Sequence, residues 1–207
     1  MSAVFTPWGY SVASLPALMT VTEFNTATGN KYADMPQAQI SAAIDAASAA
    51  VRNVCGWHVA PSLECTATVT AGDELTGERV RRFALPAAYV SGIISVTEDG
   101  NELTAGQFAA MPNGLMQRTC FKAWSNRING VTVEYVAGYD AAAVPDFTNA
   151  VVHVIEAALT IPTGVASEMA GGVSISYKAE ASAVASMVAQ QLAPALNAYK
   201  VVKAYAA

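Results

Sequence analysis

The chain contains few charged residues. Charged residues occupy 13% of its 207 positions, where soluble domains usually have ~25%, and apolar residues occupy 53%. Much of the apolar excess is alanine, so the composition is not that of a membrane protein. Water solvates a surface with few charges poorly, and burial against other subunits is one way to cover it. An ordinary alanine-rich domain fits the composition equally well.

Positive charge is also scarce, since the net charge is −5. A chain with this balance has no overall basic field to attract nucleic acid. Any DNA that meets this protein is therefore expected to slide past it without being gripped.

Cysteines and long apolar runs are few. Cys55, Cys65 and Cys120 are odd in number and have no paired spacing, which argues against a disulfide framework and favours a reducing compartment. The first 20 residues lack a basic segment and are interrupted by prolines, unlike a signal peptide. No apolar run reaches the ~18 residues that a membrane span needs.

Catalytic and metal-binding patterns are missing as well. Cys55 and His58 carry suitable atoms, but a zinc site would need Cys65 or Cys120 to join them without CxxC spacing. His153 is expected to be solvated or to lie at an interface. The sequence contains no GxSxG, HExxH, P-loop or GxGxxG motif. We therefore predict no enzyme activity, no cofactor and no metal.

A short arginine-rich stretch has two interpretations. Arg79, Arg81 and Arg82 could form a phosphate-binding patch. In a β-strand, however, Arg79 and Arg81 would point to one face and Arg82 to the other. A solvated strand, or salt bridges between subunits, is the favoured interpretation.

The pattern of apolar residues predicts an α+β fold with about four helices and an antiparallel β-rich insertion. We expect an extended N-terminal arm over 1–19 and a main domain over 20–178. Helices are predicted at about 20–28, 35–55 and 145–161, from capping residues and apolar stripes at three- and four-residue spacing. The β insertion is predicted at about 62–138, with a hairpin at Asp99-Gly100 and a turn at Pro112-Asn113-Gly114.

The segment 179–207 is predicted to be helical and to dock to a partner. It follows a break at Met169 to Gly172 and a short strand from Val173, and Pro194 should kink or divide it. Its apolar stripe could belong to the core or could lie in a groove of a neighbouring protein. The predicted docking residues are Val184, Met187, Val188, Leu192, Leu196, Tyr199 and Tyr205.

Several motifs follow one another over about residues 20–200. A short helix precedes a long one that ends in Ala46-Ala47-Ser48-Ala49-Ala50-Val51 and Val54-Cys55-Gly56-Trp57. Then come Leu85-Pro86 before a hairpin, Trp124, the strand Val131 to Tyr139 with its glycine-tyrosine turn, and Pro145-Asp146 before a helix. Each motif is weak alone, but in this order they resemble those of the head-tail connector (head-to-tail adaptor or head completion) proteins of tailed phages.

The resemblance implies a structural virion protein of the neck. Members of that family assemble as a ring, commonly of twelve subunits, below the portal protein. Double-stranded DNA passes through the lumen without specific binding, and a stopper or tail-completion protein docks below. The C-terminal segment of such adaptors often reaches the portal. Assembly would take place in the host cytoplasm, without a membrane.

Two other classes of function stay open at this point. The chain could be another phage component, such as a tail terminator, a tail-completion protein or a decoration protein. It could also be a small bacterial ligand-binding domain, although the sequence does not indicate a pocket lined by polar groups.

Overall fold

A computed structural model describes residues 3–73, 75–160, 167–170, 173–176 and 193–201. These residues form helices and antiparallel sheets, so the predicted α+β class is confirmed. The chain divides into two compact units. The β unit consists of Met1–Leu15, Gly56–Asp140 and Tyr199–Ala207, and the helical unit of Pro16–Cys55 and Ala141–Ala198.

Two long helices form the core of the helical unit. Helix α1 spans Val21–Ala27, α2 spans Gln37–Cys55, α3 spans Pro145–Thr160 and the short α4 spans Ala193–Leu196. Helix α2 packs against α3 through apolar stripes, as the spacing predicts. The stripe residues buried on the two helices include Ile40, Ile44, Ala47, Val51, Phe147, Val151 and Val154.

The cap at the start of α1 forms as its residues predict. The Thr20 hydroxyl accepts a hydrogen bond from the Glu23 amide at 3.2 Å. The Glu23 carboxylate accepts in return from the Thr20 amide at 2.6 Å. This reciprocal pair satisfies two amides that the helix itself cannot bond.

A six-stranded antiparallel sheet dominates the β unit, in the order β1-β2-β3-β9-β5-β6. A second sheet has the order β4-β8-β7. The strands are β1 Val4–Phe5, β2 Tyr10–Val12, β3 Leu63–Val69, β4 Arg82–Ala84, β5 Val90–Glu98, β6 Asn101–Glu102, β7 Phe108–Ala110, β8 Leu115–Arg118 and β9 Val131–Ala137.

One face of the large sheet is buried and the other carries polar residues. Tyr10, Ala67, Val133 and Val96 lie opposite one another on the four central strands, and all are buried. The next row along these strands, on the opposite face, includes Ser11, Thr66 and Glu134, none of which is buried. We call this second face the outer face.

The hairpin and the turn both form where the sequence predicts them. Asp99 and Gly100 have φ values of 49° and 81°, which a two-residue turn between twisted strands requires. The Leu103 amide then bonds to the Val96 carbonyl at 2.8 Å. At the second turn, Gly114 has φ 79° and its amide bonds to the Met111 carbonyl.

The N-terminal segment departs from the prediction of an extended arm without periodicity. Residues 4–5 and 10–12 form β1 and β2, and β2 pairs with β3 in the large sheet. Tyr10 and Val12 alternate with Ser11 and are buried, which holds β2 against the sheet. The β region is therefore more than an insertion between helices, because it also includes strands from the N-terminus.

The helical segment predicted over 179–207, which Pro194 should kink or divide, is described only at 193–201. This part contains α4, which begins next to Pro194, and a 3-10 turn at Asn197–Tyr199. Met169 and Ala170, which the sequence assigns to a break, belong to β10 Ser167–Ala170, which pairs with β11 Val173–Ser176. None of the described helices is both long and apolar enough to cross a membrane.

Candidate assembly surfaces

His58 has a structural place in the β unit. The ring is buried, with Nδ1 at 2.7 Å from the Tyr10 hydroxyl and Nε2 at 3.0 Å from the Ala137 carbonyl. Both ring nitrogens are thereby engaged inside the unit. Gly138 passes so close that a Cβ there would lie 2.7 Å from His58 Nε2, and its φ of 107° is unfavourable for other residues. The glycine of the glycine-tyrosine turn is therefore required by packing.

The three cysteines are not gathered into a metal site. Cys55 and Cys65 are buried, and Cys120 is exposed. Burial raises the pKa of the Cys65 thiol to about 12, which suppresses the reactive thiolate. Within the described parts of the chain, no three residues of the metal-ligating types cluster.

His153 is exposed on α3, as predicted. Its Nδ1 lies 3.6 Å from the Glu156 carboxylate. The same carboxylate accepts a hydrogen bond from Lys31 at 3.0 Å and another from the Tyr32 hydroxyl. The Lys31 bond is the main cause that lowers the pKa of Glu156. The arrangement is an ordinary surface ion pair within the helical unit.

Two of the predicted docking residues are buried in the chain itself. Leu196 has no exposed surface and packs in the helical unit. Tyr199 is buried in the β unit, where its ring meets that of Tyr139 edge-on at 5.6 Å and its carbonyl accepts from Trp57 Nε1 at 2.6 Å. A docking role for these two side chains would require the segment to leave its position. Val184, Met187, Val188, Leu192 and Tyr205 lie outside the described residues.

An aromatic cluster holds Tyr199 in the β unit. Tyr139 stacks on Tyr89 with ring centres 4.6 Å apart and also meets Trp57 edge-on at 6.0 Å. Burial raises the pKa of Tyr139. The cluster explains why the tyrosine of the glycine-tyrosine turn matters to the fold.

The predicted alternation of the arginines does not occur, because the strand begins only at Arg82. Arg79 and Arg81 lie in the preceding loop, and all three side chains are exposed. Among the described residues, none of the three forms a salt bridge. Loop residues before a short edge strand follow no period, so sequence spacing alone could not orient them.

A second loop lies against the first. The Trp124 amide bonds to the Val80 carbonyl at 2.8 Å, and the Asn129 amide bonds to the Thr70 hydroxyl at 3.0 Å. We call residues 73–82 and 119–130 together the arginine loops. The second loop adds Lys122 and Arg127, both exposed.

Phe121 is the most prominent apolar side chain of the arginine loops after Leu75. It is 89% exposed, and the Arg81 guanidinium lies over its ring, 5.0 Å from the centre. Cys120 and Phe121 both have positive φ values, of 53° and 58°, in the left-handed region that costs non-glycine residues energy. This backbone holds the ring out from the unit. The exposure of Phe121 could not be predicted from the sequence, because an isolated phenylalanine in a loop gives no sign of it.

A buried ion pair holds the second loop, residues 119–130, against the neighbouring strands. Arg118 contacts Glu98 at 2.8 Å, with side-chain exposures of 7% and 13%. The other carboxylate oxygen of Glu98 accepts from the Ser125 amide at 2.7 Å. Arg118 also donates to the Gln107 carbonyl and lies over the Trp124 ring. These contacts fix the base of the loop to strands β5 and β8.

The outer face of the large sheet contains a cavity of about 330 Å³. Its lining includes two carboxylates, those of Glu64 and Glu134, and no lysine or arginine. The Ser95 hydroxyl donates to Glu134 at 2.9 Å. Ile94 sits at a bulge in β5, is 52% exposed and lies at the rim. We call this feature the acidic cavity. It could not be predicted from the sequence, because it depends on the pairing of distant strands.

Two solved structures that match this chain come from gene transfer agent (GTA) particles. A chain from "Neck of empty GTA particle computed with C6 symmetry" matches with a TM-score of 0.54 and 20% identity, over 78% of this chain and 88% of that one. A chain from "Virion of native gene transfer agent (GTA) particle" matches with a TM-score of 0.52 and 19% identity, over 86% and 93%. At such identities the likeness establishes a shared fold. No curated protein matches this chain.

A family model for "Head completion protein" matches residues 17–201. The match includes parts of both units: the helices, the large sheet apart from β1 and β2, and the 3-10 turn at Asn197–Tyr199. It confirms the resemblance indicated by the ordered motifs of the sequence. The chain belongs to the head completion protein family.

Proposed function

We propose that this protein is a head-to-tail adaptor in the neck of a phage-like particle. In this role it forms a ring under the portal, joins the capsid to the tail and passes double-stranded DNA through the lumen. The family match over residues 17–201 carries the proposal. The shared fold with a chain from a particle neck supports it.

A cyclic assembly is part of the proposal. The matching neck was computed with C6 symmetry, and a ring of twelve subunits is compatible with a six-fold average. A subunit that contacts its neighbours through two different surfaces closes into such a ring. The low charge content of the chain supports an extensive contact area between subunits.

The protein would act through geometry and avidity. Many modest contacts around a ring add up to a durable joint with the portal above and with a stopper or tail-completion protein below. The C-terminal segment, with Val184 to Leu192 and Tyr205, is our candidate for the portal contact. The net charge of −5 favours a lumen along which DNA slides without specific binding.

A complementation experiment tests this function. Particles are produced from a genome that lacks the gene, and the heads are examined by electron microscopy for DNA content and tails. We expect tailless heads, and we expect added purified protein to restore the joining of heads to tails. Full-length tails bearing heads in the absence of the protein would refute the adaptor role. Sedimentation with free tails would indicate a tail terminator, and sedimentation with capsid shells a decoration protein.

A further inference from the structure

We propose that the Arg81–Phe121 pair of one copy inserts into the acidic cavity of the next copy, forming the contact that closes the ring. This inference rests on the proposed function and names the surfaces by which the subunits meet. The pair projects from the arginine loops, and the cavity lies on the outer face of the large sheet. Both belong to the β unit.

Charge complementarity supports the pairing. The cavity presents Glu64 and Glu134 without a cation in its lining. Arg81 has no salt-bridge partner in the described part of the chain, and its guanidinium lies on an exposed aromatic ring. An arginine between two carboxylates, with an aromatic ring against Ile94, would combine a charged contact with burial of apolar surface.

The two surfaces lie at different places along the sheet of one copy. Thr66 and Glu134, beside the cavity, pair in the middle of strands β3 and β9. The arginine loops begin beyond the end of the same strands, where Val69 pairs with Val131. Val69 lies three positions beyond Thr66 in β3, which is about 10 Å along the strand. The main-chain bonds that tie the two loops together hold Arg81 at that end.

A second copy suits the arginine loops better than DNA does. Phe121, Leu75 and Ile128 are 89%, 97% and 69% exposed in these loops, and apolar side chains contribute little to contacts with the phosphates of a duplex. Glu78 is also exposed among the arginines and would repel phosphate. Aromatic and arginine side chains are enriched at interfaces between proteins.

A pair of complementary variants tests the contact. Variant A carries Arg81→Glu, and variant B carries Glu64→Lys with Glu134→Lys. In variant A alone, a glutamate meets an acidic cavity, and in variant B alone, an arginine meets a basic one. Like charges placed opposite each other should weaken self-association by about tenfold or more in either variant. When A and B are mixed, the two variants can alternate around the ring. The acidic substitution at position 81 of A then meets the basic cavity of B, and the native Arg81 of B meets the native acidic cavity of A.

The measurement is mass photometry of each protein alone and of the equal mixture, with circular dichroism to confirm folding. Asp45→Lys, an exposed acid on α2 of the helical unit, is the matched control and should assemble like the wild type. The expected result is failure of A and of B alone and recovery in the mixture. Normal assembly of either variant, or no recovery in the mixture of two folded proteins, would overturn the contact.

Two further results separate this contact from the proposed function. If wild type, A and B all restore head-to-tail joining, the adaptor function stands and the contact is wrong. If the wild type and the mixture both form rings, but the wild type does not restore head-to-tail joining, the contact stands and the adaptor function is wrong. Loss of DNA retardation in a gel by variant A, with unchanged self-association, would assign the loops to DNA and also overturn the contact.

Discussion

Replacing Arg118 with methionine should destabilise the protein strongly, because it leaves a carboxylate buried without its cation. Arg118 lies 2.8 Å from Glu98, and the Glu98 side chain is only 13% exposed. Removing one partner of a buried ion pair costs about 3–5 kcal/mol. For a protein of this size, each kcal/mol lowers the unfolding temperature by about 2–4 °C. Arg118→Met should therefore lower it by about 6–20 °C.

Differential scanning calorimetry and urea denaturation of three variants test this reasoning. Arg82→Met is the control, because Arg82 is an exposed arginine whose contact is a hydrogen bond to Gln117, and it should cost at most about 1 kcal/mol. The double variant Arg118→Met with Glu98→Leu should recover most of the loss, since apolar replacement of a buried pair is often close to neutral. An Arg118→Met variant as stable as Arg82→Met, or a double variant no more stable than the single one, would refute the argument.

Three other expectations can be checked directly. Gly138→Ala should cost about 3 kcal/mol or more in urea denaturation, because the backbone there has φ 107° and lacks space for a Cβ. Lys31→Met should raise the pKa of Glu156 towards its ordinary 4.5, as measured by NMR titration. Because the folded-state pKa is depressed, the stability that this ion pair contributes is present above pH 4.5. It is lost as the pH falls through the folded-state pKa of Glu156. At pH 8, a maleimide should label Cys120 rapidly in the native protein, while Cys65, buried with a pKa of about 12, should react only in denaturant.

Structural features that depend on residues close together in the sequence could be predicted from the sequence. The stripe through Ile40 and Ile44 predicts α2, and Asp99-Gly100 predicts its hairpin, because helix period and turn chemistry act over a few residues. Strands β1 and β2 were missed because two or three residues show no measurable period. Their formation depends on Tyr10, whose burial and hydrogen bond to His58 depend on residues far along the chain.

The candidate assembly surfaces were harder to predict. The sequence singles out the arginines, but Arg79 and Arg81 lie outside the strand, which begins at Arg82. The exposure of Phe121 depends on a backbone held by contacts to the other arginine loop. The acidic cavity unites Glu64 with Glu134, which are adjacent only once β3 pairs with β9. The docking role of Val184, Met187, Val188, Leu192 and Tyr205 remains a prediction.

The crowded backbone at Gly138 has a consequence for how such proteins are recognised. A residue that must be glycine because neighbouring atoms leave no room constrains the interior of each copy, whichever particle the copy serves. The Phe121 side chain, which is 89% exposed, meets no such internal demand and can change together with whatever it touches. A signature built on the crowded turn would therefore identify the architecture across distant particles, whereas compatibility between copies from different particles would have to be sought in the loops.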